Sequence, residues 1–256
     1  MFKIFDFIGA RFLLFAEEVG RIITTLGMML FWLVRPPWRF HLFFKQFNFI
    51  GVESIFIILL TGTFTGAVFS LQSSYAFRVF EANSMVGPTV LLAVTRELGP
   101  VLTSLLVTGR VGSAMAAEIG SMRVTEQIDA LETMAVNPIQ YLVVPRVICS
   151  IITLPALTAI FDFVAGLGAY VVVVSLLGVT PQTFDQEVIY YVDFDDFYIG
   201  LIKAAVFGLI LALIGCYKGY YTSRGAEGVG KATTESVVIA SVAILVSDYF
   251  LTALMF

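Results

Sequence analysis

Charge is what this sequence has least of. Only 13% of its 256 residues are Asp, Glu, Lys or Arg, against 59% hydrophobic, and the mean hydropathy is +0.93. Soluble domains carry about a quarter of their residues as charges, so a water-soluble globule is excluded. Histidine is almost missing: His41 stands alone, in the N-terminal region, where an interfacial place suits it. The two cysteines, Cys149 and Cys216, both fall in apolar stretches and read as small core residues. Neither a disulfide framework nor a His/Cys metal site can be built from that inventory. No nucleophile motif or phosphate-cradling loop occurs, which removes the usual starting points for catalysis. The glycine-rich GAEGVG at 225–230 follows no strand pattern and reads as a flexible turn between spans. A chain so equipped hydrolyses no ATP itself. The first residues carry charges throughout and offer no small-residue cleavage site, so no cleavable signal peptide is expected.

What the sequence has in abundance is apolar runs. Five stand out, at about residues 50–71, 89–108, 147–177, 199–221 and 237–256, each near the ~20 residues needed to cross a bilayer as helix. The expected fold class is an all-α integral membrane protein: a bundle of about five transmembrane helices, with an N-terminal interfacial and elbow region and a cytoplasmic helix. The third run is long enough to tilt or bend, and Pro155 and Gly166 mark places for it. Residues 1–48 form the expected N-terminal unit. Arg11, Glu17, Glu18 and Arg21 alternate there with Phe12, Leu13, Leu14, Val19, Ile22 and Ile23, as in a helix lying in the interface. Residues 26–34, before Arg35-Pro36-Pro37-Trp38, are too few to span and read as an elbow that dips in and turns back. Residues 49–256 form the transmembrane unit, with the cytoplasmic helix at about 124–137.

Basic residues set the orientation. Lys3, Arg11, Arg21, Arg35, Arg39 and Lys45 precede the first span. Arg110, Arg123 and Arg146 lie about the connection between spans two and three, and Lys218, Arg224 and Lys231 about that between four and five. The other side has Arg78, with Lys203 close by, and a strongly acidic loop holding Asp185, Glu187, Asp193, Asp195 and Asp196. The N-terminus is therefore expected in the cytoplasm and the C-terminus outside.

A polar stripe at residues 95–146 interrupts this pattern: TRELGPVLTSLLVTGRVGSAMAAEIGSMRVTEQIDALETMAVNPIQYLVVPR. Arg96 and Glu97 sit inside an apolar run, where ionisable groups are expensive and usually functional. Neighbours on a helix point about 100° apart, so each needs its own compensation. Two readings stand together: a structural ion-pair network drawing on Asp162 or Asp248, and a polar lining where a charged or zwitterionic headgroup meets an apolar cavity. Gly99-Pro100 predicts a kink or break beside the pair, because proline removes a donor and crowds the carbonyl of Arg96. Gly62, Gly66, Gly109, Gly112, Ser113, Ala114, Ala116, Ala117 and Gly120 supply the small residues that let helices approach closely in lipid. Arg110 and Glu118 suit the cytoplasmic boundary, by snorkelling or by pairing with a partner. At 126–134 a short amphipathic helix is expected, N-capped by Thr125 and stopped by Asn137-Pro138. Ile128, Leu131 and Met134 share one face, and Glu126, Asp129 and Glu132 occupy the rest. A helix this short is marginal in water and must dock, on its own bundle or in a groove on a cytoplasmic partner.

RELGPVLTSLLVTGRVGSAMAAEIGSMRVTEQIDALETMAVNP, followed by Pro145-Arg146, strongly resembles the signature of the MlaE/YrbE permeases of MCE-type ABC transporters. The likeness extends to ATTESVV and the terminal DYFLTALMF, and covers about 200 residues from Gly51 onward. The resemblance implies a homodimeric permease of the bacterial inner membrane, moving phospholipid between inner and outer membranes and so maintaining outer-membrane lipid asymmetry. It implies two cytoplasmic ABC ATPase subunits that bind the ATP and Mg, a STAS-domain protein bound to them, and a periplasmic MCE-domain hexamer; no cofactor in this chain and no nucleic acid are expected. It assigns Glu126, Ile128, Asp129, Leu131, Glu132 and Met134 to the helix that couples to the ATPase. Arg96 and Glu97 fall beside the lipid cavity, with Phe64, Val68 and Leu71 of the first span expected against the lipid tails. The rival reading is a stand-alone ion-coupled transporter or channel, with Arg96, Glu97, Asp162 and Asp248 as an ion relay; a non-transporting scaffold is a further one.

Overall fold

The computed structural model describes residues 2–33, 35–36, 39–223 and 225–255, with the backbone alone at 2–12, 14 and 15. Val34, Pro37, Trp38 and Arg224, and the side chains of Lys3, Arg11, Phe12 and Leu14, lie outside that description. Every regular element among the described residues is helical. Five helical runs are long and apolar enough to cross a membrane: Phe40–Arg78, Asn83–Val124, Ile139–Ser175, Phe194–Tyr220 and Ala226–Met255.

α1 (Phe2–Leu33) is one helix of 32 residues. Residues 26–33 continue it without a turn, and the rest of the segment expected as an elbow lies between Leu33 and α2 (Phe40–Ile50), partly outside the described residues. Arg35 is held there by its carbonyl, which accepts from Gln140 Nε2 at 2.7 Å. α2 runs through Gly51 and a 3₁₀ turn, Val52–Ser54, into α3 (Ile55–Arg78). The 48/49 boundary thus falls inside a helical run.

The second span is built from α4 (Val86–Ala93), a π-helical turn at Val94–Leu98, α5 (Gly99–Val107), a second π turn at Thr108–Gly112, and α6 (Ser113–Val124). α7 (Gln127–Thr133) follows. A third π turn, Ile139–Val143, leads into α8 (Val144–Ser175), which continues through Pro155. α9 (Pro181–Tyr191), α10 (Phe194–Tyr220) and α11 (Ala226–Met255) complete the chain. α11 begins at Ala226, so only Gly225 (φ 96°) of the glycine-rich stretch is a turn residue; Gly228 and Gly230 are helical.

Close approach without side chains holds the spans together. A Cβ on Gly66 would lie 1.9 Å from the Ala165 carbonyl oxygen, and one on Gly168 would lie 2.2 Å from that of Thr63. α3 and α8 therefore pack backbone to backbone, the arrangement small residues permit in lipid. Gly208 does the same for α10 against Ser150 of α8, and Gly219 for α10 against Ala116 of α6. α8 lies at the centre, with Leu154, Phe161, Ala165, Ala169 and Val173 fully enclosed. Cys149 and Cys216 are free thiols in this core.

Candidate functional site

The π turn at Val94–Leu98 explains how proline sits in a spanning helix. Gly99 N–H bonds back five residues to the Val94 carbonyl, opening the turn by one residue just before Pro100. The helix is disturbed at Gly99-Pro100, where a kink or break is expected, and the disturbance takes the form of a widened turn. Pro100 has no N–H for the carbonyl of Arg96, four residues earlier. That carbonyl is taken instead by Lys203 Nζ of α10, at 3.1 Å.

Lys203 is the centre of the site. It is fully buried, and its ammonium also donates to Glu97 Oε2 and Thr252 Oγ1, both at 2.7 Å. Three N–H donors meet three acceptors, so the group is saturated. Asp248 Oδ1, at 3.4 Å, adds charge compensation without a hydrogen bond. Arg96 turns the other way, to Asp196 in the first turn of α10: its Nη2 and Nε lie 2.5 and 2.7 Å from Oδ1. Asp196 Oδ2 accepts from the Asp193 N–H, so one carboxylate starts α10 and holds Arg96. Gly200 lets α10 come this close, since a Cβ there would sit 2.1 Å from the Thr95 carbonyl oxygen.

The two side chains that the sequence singled out thus receive separate partners, as their angular spacing required. The partners differ from those expected in one respect. Asp162 joins neither; it is buried on α8 with both oxygens unbonded among the described residues, Oδ1 filling the space where Gly99 has no Cβ. Asp248 does take part, and Lys203, Asp196 and Thr252 were missed. A signal for Lys203 existed: it is the only basic residue between Arg146 and Lys218, in a helix otherwise apolar around it. Such a lysine needs acids from other spans. Nine residues from the start of α10, it lies about 14 Å into the bundle at 1.5 Å per residue. The cluster is also open on one side: the Arg96 and Glu97 side chains keep 39% and 38% of their surface outside the chain.

Phe64, Val68 and Leu71 lie elsewhere, on the outward face of α3, 63%, 62% and 40% exposed. The opposite face of the same helix carries Gly62, Gly66, Ser70 and Ser74, buried against the bundle. These three residues offer an apolar wall, while the charges belong to the contact of the second span with α10 and α11.

At the other end of the bundle, α7 is seven residues long. Its start differs from expectation. Thr125 ends α6, its hydroxyl bonded to the Ser121 carbonyl at 2.8 Å, and Glu126 takes the N-cap position with left-handed backbone (φ 59°). Only two residues separate α6 from α7, which forces that turn. The stop also comes earlier, through left-handed Ala135 (φ 58°). Asn137 opens the next helix, its Oδ1 accepting from the N–H groups of Ile139 and Gln140. Ile128 is fully buried in the chain's own core and anchors the helix; Leu131 is half-buried. Glu126, Asp129, Glu132 and Met134 face outward, Asp129 in a 2.7 Å pair with Arg123.

Further ion pairs bolt this end. Arg110 bonds Ser54 Oγ and Glu53, and Glu118 holds the buried Arg146 at 2.6 Å, so both charges expected at the boundary are engaged inside the chain. Lys218 joins Glu18 of α1 to Glu235 of α11.

The family described as Permease MlaE matches residues 43–254. The chain is 45% identical over 256 residues to a probable ABC transporter permease protein of Rickettsia conorii, covering 100% of this chain and 99% of the relative. It is 39% identical over 254 residues to the intermembrane phospholipid transport system permease protein MlaE of Haemophilus influenzae, covering 97% and 96%. A chloroplastic protein of Arabidopsis thaliana, TRIGALACTOSYLDIACYLGLYCEROL 1, is 37% identical over 219 residues, 86% of this chain and 62% of that protein.

Proposed function

The chain belongs to the MlaE permease family, and on that premise we propose that it is the membrane subunit of an ATP-driven phospholipid transporter of the bacterial inner membrane. Two copies work with two ABC ATPase subunits, a STAS-domain protein and a periplasmic MCE-domain hexamer, carrying lipid between the inner and outer membranes and keeping the outer membrane asymmetric. ATP and Mg belong to the ATPase, and this chain transports without catalysing. The names of the Rickettsia and Haemophilus relatives support this reading.

One observation carries the mechanism. α7 is anchored by Ile128 and presents Glu126, Asp129, Glu132 and Met134 outward, at the end of the bundle opposite the Lys203 cluster. An exposed apolar residue in an acidic rim, on a helix too short to stand alone, suits a groove on a cytoplasmic ATPase. Closure of the ATPases pushes on α7, and α6 transmits the push to the π turns of the second span. Lipid tails lie against Phe64, Val68 and Leu71, and the half-open Arg96 and Glu97 meet the headgroup. Met134→Asp tests it: the variant folds and hydrolyses ATP with its ATPase in proteoliposomes, while ATP-dependent lipid transfer falls at least tenfold. Transfer at the normal rate removes α7 from coupling.

The ion-driven rival draws on Asp162, buried with both oxygens unpartnered among the described residues. Lipid or ion transport by the purified chain alone, driven by an ion gradient, decides for it.

A further inference from the structure

Two uncommitted cations meet where α1 gives way to α2. Trp32, Arg35, Arg39, Phe43 and Gln140 line a shallow cleft there, of about 30 Å³. The two arginines are exposed, and neither meets a carboxylate among the described residues. Each stacks on a ring instead: Arg35 Cζ lies 4.0 Å from the centre of Phe31, and Arg39 Cζ 4.9 Å from that of Tyr141. Stacking holds a guanidinium by its face and leaves the N–H donors of its edge free. Along α2, Phe40, Phe43, Phe44 and Phe47 share one helix face and line a second cavity, of about 240 Å³. Phe43 belongs to both, so a basic cleft and an apolar groove adjoin. Their depth follows from α8. Cys149 Sγ donates to the Phe43 carbonyl at 3.4 Å, which sets Phe43 level with Cys149. The stretch of α8 from Cys149 to its end at Ser175 is about 39 Å long at 1.5 Å per residue. A bilayer with its headgroups is about 40–45 Å thick. With the α9 end of α8 at one surface, the cleft lies in the headgroup layer of the other.

We propose that the cleft and the groove together hold one anionic glycerophospholipid. The cleft is too small to admit a phosphate, so the headgroup rests across its rim, on the free edges of Arg35 and Arg39. An acyl chain follows the phenylalanine face of α2 toward α3. Charge selects the class: two cations without an acid match an anionic headgroup, whereas phosphocholine sets its own ammonium against them. Such a lipid is resident rather than cargo, since the Arg96–Glu97 pair is on the second span, which lines neither cavity. Its binding is independent of the function proposed above.

The test places the full chain in nanodiscs of equal parts phosphatidylglycerol and phosphatidylcholine. Native mass spectrometry then reads which lipid stays on the protein once the disc is stripped away. Phosphatidylglycerol is expected to be retained over phosphatidylcholine by about tenfold, the size of one charge-assisted hydrogen bond. Arg35→Gln with Arg39→Gln brings the two lipids to parity, whereas Arg35→Lys with Arg39→Lys keeps part of the preference. Phe44→Gln lowers total retention and leaves the preference unchanged. Arg78→Gln, at the far end of the same helical run, removes one positive charge and changes neither. All four positions are exposed, so the variants keep the fold, which an unchanged unfolding midpoint verifies. Equal retention of both lipids by the native chain, or a preference that survives the paired glutamines, overturns the proposal. Equal sensitivity to Arg78→Gln overturns it too, by making the effect one of bulk charge. Retention of no lipid does the same and leaves a partner's helix as the cover of the phenylalanine face.

Discussion

Lys203 shows how a single side chain settles several problems at once. Pro100 strands a carbonyl, Glu97 brings a charge to membrane depth, and one ammonium answers both. Removing one partner of a buried ion pair leaves the other uncompensated and costs about 3–5 kcal/mol. Lys203→Met is therefore expected to lower thermal stability by that order, measured by unfolding in detergent, and adding Glu97→Gln to recover part of the loss. If the double variant is no more stable than the single one, the pair is not the source of the effect. Gly99→Ala is expected to destabilise as well, because its methyl would meet Asp162 Oδ1 at 1.9 Å; here the readout is the fraction of monodisperse protein after extraction.

The helices divide their glycines into two kinds, and the two kinds respond oppositely to alanine. Gly66 has no room, with the Ala165 carbonyl 1.9 Å from any added Cβ. Gly66→Ala forces α3 off α8 and is expected to cost about 1–3 kcal/mol, as overpacking does. Gly230, in the second turn of α11, has open space around it. Gly230→Ala is expected to stabilise by up to ~1 kcal/mol through helix propensity alone. Opposite shifts in midpoint temperature confirm the distinction; equal losses refute it. This level was partly legible in the sequence. The five runs, the short acidic helix and the Gly62/Gly66 pair were readable because composition and period report them directly. Gly109, by contrast, meets nothing within 4 Å, and the close approaches of Gly168, Gly200, Gly208 and Gly219 depend on neighbours far away in sequence. The π turns were not: a proline announces a disturbance, but whether the helix kinks or widens depends on whether another span supplies a donor. Thr125 misled for a related reason. Its type suits the start of a helix, yet the preceding helix ran on to Val124 and claimed it as an end.

Across the whole bundle, charge is sorted by end. One end carries α7, Arg110 with Glu53, Arg146 with Glu118, and Lys218 with two glutamates; the other carries acidic α9 and the Asp196 turn. We propose, from the distribution of basic residues, that the first end is cytoplasmic. Membrane-impermeant thiol labelling checks it: Met134→Cys reacts only from the cytoplasmic side and Tyr190→Cys only from outside, while the native cysteines, both buried, give no background. The reverse pattern inverts the molecule. Asp196, at the end of the acidic stretch 185–196, was opaque in the sequence because its partner, Arg96, lies a hundred residues earlier.

The partners of Lys203 are also ordered in time. A lysine at the centre of a lone helix costs roughly 2.5–3.5 kcal/mol to insert into the bilayer. As the chain leaves the ribosome, the span with Glu97 is made before the helix with Lys203, and the one with Asp248 and Thr252 after it. Phe194–Tyr220 therefore enters the membrane beside an acid already waiting, and the last helix completes the set. A nascent chain that loses Glu97 presents the insertion machinery with a charge that has no earlier counterpart, which makes membrane integration itself a checkpoint on the site.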